Sequence, residues 1–282
     1  MLLKFTKMQG AGNDFIVIDA THDAFHLTSD EIRRLSDRHF GIGFDQLLVV
    51  EPSDEADVDF RYRIFNADGG EVPMCGNGAR CFATFVRSHG LTKKTSIRVR
   101  TQSGVIVPEV LPEGSVRVDM GRANFAPEKV PFLPEGFERE SLGDGTLYRG
   151  TVAGTVLCFG VASMGNPHAV CFIERDEEVD VQKTGPALQN CGAFPEGVNV
   201  GFLKVESKER ASLRVYERGA GETLACGSGA CAAFAVANRV GVLASKVTLE
   251  MAGGTLTVQK TEEGHILLAG PAEEVFEGTI DL

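Results

Sequence analysis

Hydrophobic and polar residues alternate with period two over short stretches of this chain, and two longer apolar runs break the alternation. Phe60-Arg61-Tyr62-Arg63-Ile64 and Leu213-Arg214-Val215-Tyr216 have the strand period and lead into Gly-rich turns. Past each turn the pattern predicts a helix, over about 76–89 and 227–240, each followed by a closing glycine, Gly90 or Gly241. Apolar residues cover nearly every face of both (Ala79, Cys81, Phe82, Phe85, Val86; Ala230, Cys231, Ala233, Phe234, Val236), and a helix apolar all round is a buried one. Alternating segments at 97–107, 115–119, 156–161 and 247–258 read as further short strands. Thr28-Ser29-Asp30-Glu31 is a capping box that opens a peripheral helix.

The pattern occurs twice. Met74-Cys75-Gly76-Asn77-Gly78-Ala79-Arg80-Cys81 is matched by Ala225-Cys226-Gly227-Ser228-Gly229-Ala230-Cys231, with the leading cysteines 151 residues apart. At the same offset Asn66-Ala67-Asp68-Gly69 falls opposite Glu217-Arg218-Gly219-Ala220, and Gly90 opposite Gly241. A weaker echo sets Gly12-Asn13 against Gly165-Asn166. Matches in order over this distance predict a duplicated lobe. The expected architecture is α+β: two pseudo-symmetric lobes, each an antiparallel sheet or barrel curled around a central helix, with the active site in the cleft between them. Pro127, Pro131 and Pro134 suggest a stiff connector over 121–137, giving an N-terminal lobe at 1–121 and a C-terminal lobe from 122.

Length supports the division, since 282 residues is about twice an ordinary domain. Lys and Arg number 28 against 39 Asp and Glu, a net charge of −11 that argues against nucleic acid or an anionic membrane as partner. No apolar run is long enough to span a bilayer, and the start, Met1-Leu2-Leu3-Lys4, lacks the core of a signal peptide. Seven cysteines is an odd count in a chain that needs no stapling, so reduced thiols and a cytoplasmic location are expected. No Cys-x-x-Cys pair is present, and no metal site is expected.

Two of the seven carry the chemistry. Cys75 and Cys226 each precede a helix that opens Gly-Asn-Gly or Gly-Ser-Gly, leaving backbone N–H groups bare beside a thiol. A helix N-terminus favours a thiolate and binds carboxylates. Cys81, Cys231, Cys158 and Cys171 lie inside apolar patterns and read as core, while Cys191 sits in a loop. Two thiols facing each other across a carboxylate pocket suit inversion at a carbon: a thiolate removes a proton from one face and a thiol returns one to the other. The converging N–H groups would stabilise the carbanion.

At these residues the chain closely resembles the diaminopimelate epimerases. The resemblance rests on the segment from Asn66 to Cys81, on Glu217-Arg218-Gly219 through Cys231, and on Gly10-Ala11-Gly12-Asn13-Asp14-Phe15, Gly41-Ile42-Gly43-Phe44-Asp45-Gln46 and Ser163-Met164-Gly165-Asn166-Pro167-His168. It covers essentially the whole chain and implies interconversion of LL- and meso-2,6-diaminopimelate, on the route to lysine and peptidoglycan, without cofactor. It implies acid/base roles for Cys75 and Cys226, with His168 and Glu217 as polar neighbours that tune the thiols. Gly76, Asn77, Gly227 and Ser228 would hold the reacting carboxylate, and Asn13, Gln46, Asn66, Asn166, Asn199, Glu217 and Arg218 the rest of the diamino diacid. It also implies a homodimer, and a return of residues 272–282 to the first lobe, leaving 122–271 as the second. Taken alone, Asn13, Asn166 and His168 would be turn residues. Gln9 and Phe276 depart from the family pattern, which has His and Tyr there in many members. A two-thiol racemase of the proline racemase type is the alternative, but a monocarboxylate gives Arg218 no use.

Overall fold

A computed structural model describes residues 2–73, 75–174 and 178–282. Met1 and Met74, the latter the first residue of the Cys75 motif, lie outside the described residues. The chain divides into two compact units, Met1–Asp119 with Ala269–Leu282, and Met120–Leu268.

The first unit contains β1 (Leu2–Gly10), β2 (Asn13–Asp19), α1 (Ser29–Ser36), β3 (Gln46–Pro52), β4 (Phe60–Asn66), β5 (Glu71–Val72), α2 (Gly76–Ser88), β6 (Val99–Thr101), β7 (Gly104–Ile106), β8 (Glu109–Val110) and β9 (Val116–Asp119). Its sheet runs β1-β2-β3-β4-β6-β7, with β5 beside β4. Phe15-Ile16-Val17-Ile18 and Leu47-Leu48-Val49-Val50 are apolar at every position because both faces of this sheet are covered. Ile16, Ile18, Leu47 and Val49 join a cluster with Ile32 and Leu35 of α1. The alternate residues face α2, which packs on β1, β2 and β3. Phe82 of α2 meets Phe60 and Tyr62 edge-on or tilted, and Phe82→Ala would cost roughly 3–5 kcal/mol as a fully buried ring.

The second unit contains β10 (Glu138–Leu142), β11 (Gly145–Val152), β12 (Thr155–Ser163), β13 (Pro167–Ile173), α3 (Val181–Gln189), β14 (Asn199–Val205), β15 (Arg210–Glu217), β16 (Gly221–Thr223), α4 (Gly227–Arg239), β17 (Lys246–Met251), β18 (Gly254–Lys260) and β19 (Ile266–Gly270). Strands β10 to β15 neighbour one another in chain order, followed by β17, β18 and β19. On one face Val181 and Leu188 of α3 complete a core with Phe132, Phe159, Phe194 and Phe202. On the other, α4 lies against β12, β13, β14 and β15. Gly160 on β12 permits that approach, because a Cβ there would run into Val236 of α4. The last strand, β20 (Glu273–Asp281), returns to the first unit and pairs antiparallel with β1.

The two buried helices are alike in detail. Each has 13 residues, a cysteine N-cap in extended backbone (φ −139° at Cys75, −132° at Cys226), and a left-handed glycine after the last turn, Gly90 or Gly241. The sheets, however, are mixed rather than antiparallel. Strand pairs β2–β3, β4–β6, β13–β14 and β15–β17 are parallel. Parallel neighbours need a crossover, and α1, α2, α3 and α4 in turn supply it. No helix among the described residues is long and apolar enough to cross a membrane.

Candidate active site

In the first unit, a two-residue turn with Ala11 (φ 55°) and Gly12 (φ 83°) joins β1 to β2 and sets Asn13 at the first position of β2. Gln9 braces this turn, its Oε1 accepting the Gly12 N–H at 2.9 Å. Asn13 thereby reaches the start of α2: its Oδ1 accepts Asn77 Nδ2 at 3.2 Å and lies 4.0 Å from Cys75 Sγ. Cys75 caps α2, its sulfur accepting the Gly78 N–H at 3.4 Å. Glycine is required at 78, because a Cβ there would collide with the Tyr62 hydroxyl. Gln46 and Asn66 face each other across β3 and β4, Nε2 to Oδ1 at 2.8 Å.

A charged group lies behind Asn13. Asp45 Oδ2 accepts Asn13 Nδ2 at 2.8 Å, and Arg38 bridges Asp45 and Asp14, which also binds Lys7. Burial pushes the Asp14 carboxyl up, but hydrogen bonds from Arg38 and Lys7 outweigh it and hold the group well below the usual carboxylate range.

In the second unit, Cys226 caps α4 and is only 6% exposed. Its thiol donates to Glu217 Oε2 at 2.9 Å, with Ser228 Oγ at 3.6 Å. Burial first, then the Glu217 charge, pushes this thiol well above its ordinary pKa, so it stays protonated in the neutral range. Thr223 donates to the other oxygen of Glu217 at 2.6 Å. His168, fully buried, is pushed down to about 3 by desolvation and secondarily by the Arg218 charge, so its imidazole is neutral. Its hydrogen bond goes to Asn166 Oδ1 at 3.0 Å, and Asn166 Nδ2 donates to Ser228 Oγ at 3.3 Å. Asn199 Oδ1 accepts the Arg218 backbone N–H at 3.0 Å. The Arg218 side chain lies over Gly197, donates to the Glu196 carbonyl at 2.6 Å, and makes no salt bridge among the described residues.

Each half thus places a thiol at a helix N-terminus, a run of small residues after it, and an asparagine bonded to that run. A family model described as diaminopimelate epimerase matches residues 5–126 and 160–275 of this chain. The chain belongs to the diaminopimelate epimerase family. A diaminopimelate epimerase of Paraburkholderia xenovorans is 52% identical over 100% of this chain and 99% of its own length. One from Laribacter hongkongensis is 50% identical over the full length of both. Among solved structures, a phenazine biosynthesis protein of Bacillus anthracis superposes with a TM-score of 0.68 at 18% identity, covering both chains completely. A hydroxyproline epimerase of Agrobacterium vitis reaches 0.63 at 13% identity over 99% of this chain and 92% of its own. These two distant likenesses concern the fold alone.

Within this diaminopimelate epimerase fold, Asn13, Gly76 and Asn77 gather around Cys75, while Asn166, Glu217, Gly227 and Ser228 gather around Cys226. His168 is joined to Asn166 rather than to a sulfur. Gln46 bonds Asn66, and the exposed Arg218 side chain is held by the Glu196 carbonyl. Sequence reasoning passed over Asp45, Gln9 and Arg80. Asp45 stands in the Gly41–Gln46 motif with no chemistry assigned, and Gln9 stood out only as a departure from the family pattern. Arg80 was hidden by its place in an apolar helix.

Proposed function

We propose that this chain is a cofactor-independent isomerase interconverting LL- and meso-2,6-diaminopimelate, with Cys75 and Cys226 as the two acid/base groups. The observation that carries this reading is a cysteine at the start of each of the two buried helices, each with an oxygen acceptor at its sulfur, Asn13 Oδ1 for Cys75 and Glu217 Oε2 for Cys226. Cys75 also accepts the Gly78 N–H at 3.4 Å. Cys226 donates to the Glu217 carboxylate and is therefore a thiol at rest. Turnover begins with the Cys75 thiolate taking the α-proton, giving Cys75 as thiol and a carbanion whose charge spreads into the carboxylate. The Cys226 thiol then delivers its proton to the opposite face and becomes the thiolate. Substrate of the opposite configuration runs the same steps in reverse. The N–H groups of the Gly-Asn-Gly and Gly-Ser-Gly turns hold the carboxylate on which charge develops.

Arg218 supplies specificity in this reading. Its exposed guanidinium, without a carboxylate partner among the described residues, suits a bidentate pairing with the distal carboxylate of a diacid. Ala67, at the matching position of the first unit, carries no charge, so only one end of the substrate is recognised this way. Two unoxidised thiols suit a reducing compartment, which supports a cytoplasmic site of action. Exposed Val275 and Phe276 on the edge strand β20 support a homodimer.

The test is turnover in D₂O. The epimerised diaminopimelate should carry deuterium at its α-carbon, while recovered substrate carries less early in the reaction. Lysine, lacking the distal carboxylate, should stay nearly unlabelled. Product free of solvent label defeats the two-base scheme, and lysine labelled as fast as diaminopimelate defeats the role of Arg218.

A further inference from the structure

Arg80 is a cation in the second turn of a buried helix. It is 0% exposed, flanked by Ala79, Cys81 and Phe82, all equally buried. Gly10 leaves room for it, since a Cβ there would lie a tight 3.3 Å from the guanidinium. Arg80 Nε donates to the Pro271 carbonyl at 3.2 Å, and Nη1 donates to Asn77 Oδ1 at 2.9 Å. A guanidinium can only donate, so this bond fixes which end of the Asn77 amide is oxygen. Asn77 Nδ2 is then turned the other way and donates to Asn13 Oδ1 at 3.2 Å. With its oxygen engaged, Asn13 directs Nδ2 to Asp45 Oδ2 at 2.8 Å. An ionised carboxylate can only accept, and Asp45 also receives Arg38 Nη2 at 2.9 Å and the Asp14 N–H at 3.2 Å.

Amide oxygen and nitrogen have nearly the same shape, so an asparagine's polarity is decided by its partners. Here the two ends decide it: a group that only donates stands at one end and a group that only accepts at the other. We propose that Arg80 and Asp45 are positioning residues that polarise a relay, Arg80–Asn77–Asn13–Asp45, so that both amides meet the substrate in one fixed orientation. The oxygen of Asn13 is thereby kept toward Cys75, and the amino groups are kept for acceptors. The second unit links the matching positions without a cation and in the opposite direction, the turn asparagine donating to the helix start. Neutral His168, bonded through Nε2 to the oxygen of Asn166, turns that amide's nitrogen onto Ser228. Cys231 stands at the position matching Arg80, so only the first unit keeps the charged form.

This inference rests on the reading of Asn13 and Asn77 as substrate-binding groups, but its first test needs no substrate. In ¹⁵N-labelled, ligand-free protein the side-chain amides of Asn13 and Asn77 should each give one slowly exchanging pair of proton signals. Asp45→Ala, at the half-exposed end, should broaden or shift the amide of Asn77, two bonds along the relay. Arg80→Met should do the same to Asn13. An Asn77 amide untouched by Asp45→Ala overturns the relay, and this arm stands even if Arg80→Met fails to fold. The second test is kinetic. Each variant should raise KM for diaminopimelate about tenfold, with a smaller effect on kcat, as expected for loss of a hydrogen bond to a charged group. Arg80→Lys, which keeps a donor-only cation, should restore part of the loss. Because both ends act through one relay, the double variant should be no worse than either alone, whereas about a hundredfold additive loss overturns it. A chain that failed to label diaminopimelate in D₂O would leave the amide signals as predicted, so the two readings fail separately.

Discussion

His168 illustrates how one side chain can serve both the site and the stability of the protein. Burial holds its imidazole neutral down to about pH 3, whereas an unfolded histidine titrates near 6.5. Between those values the unfolded chain takes up a proton that the folded chain refuses. The stability contributed by the neutral ring is therefore complete above about pH 6.5 and declines as pH falls, by at most roughly 1.4 kcal/mol per pH unit. His168→Gln can still donate to Asn166 but cannot titrate. Thermal unfolding measured from pH 7 to 4 should fall more steeply for the natural chain than for His168→Gln, and parallel curves would show that the ring is protonated in the fold. The sequence marked His168 only through the family resemblance, because a histidine after a proline in a turn looks like many others. The paired cysteines were legible without it, since duplication repeated them with their glycines. Arg80 and Asp45 were not: Arg80 sits among apolar helix residues and its Pro271 partner is 191 residues away, while Asp45 meets Asn13 from another segment.

Among the elements, the helices built from small and apolar residues could be read directly, and α3 could not. Gly185 and Pro186 fall inside α3 and would each argue against a helix. Gly185 is there because a Cβ would enter the Tyr216 ring, so close packing overrides propensity. Parallel pairing was also illegible: alternation reports which face a residue takes, and says nothing of its neighbour's direction. Turns keep their local geometry even where the residue does not favour it. Ala153 (φ 49°) and Gly154 (φ 83°) join β11 to β12 in the same two-residue form as Ala11 and Gly12. Alanine in the left-handed region is strained, and asparagine tolerates it better. The exposed Ala153→Asn should therefore raise stability by up to about 1 kcal/mol, seen as a later denaturant midpoint at unchanged slope. A lower midpoint would mean that the turn is not of this type.

Across the whole molecule, buried thiols make the fold sensitive to base. Burial pushes Cys81 up to about 12, and it raises Cys171 and Cys226 as well, so both units contain such groups. Unfolded thiols ionise near pH 8.5. Above that value the unfolded chain releases protons that the folded chain keeps, and stability must fall as pH rises. Denaturant midpoints should drop between pH 8 and 10, and the drop should be shallower in Cys171→Val, which replaces a core thiol with an apolar group. Equal slopes in the two proteins would contradict the protonated state assigned to Cys171.

The return of β20 to β1 sets the order in which the molecule can be completed. During synthesis β1 emerges early, but the strand that covers its outer edge is made only after the roughly 150 residues of the second unit. At about 5–20 residues per second, that edge waits on the order of ten seconds or more with its backbone groups unpaired. The Pro271 carbonyl that receives Arg80 arrives with the same late segment. The first half of the chain to leave the ribosome is therefore the last to close, and through that wait its open edge is available to chaperones and to neighbouring nascent chains.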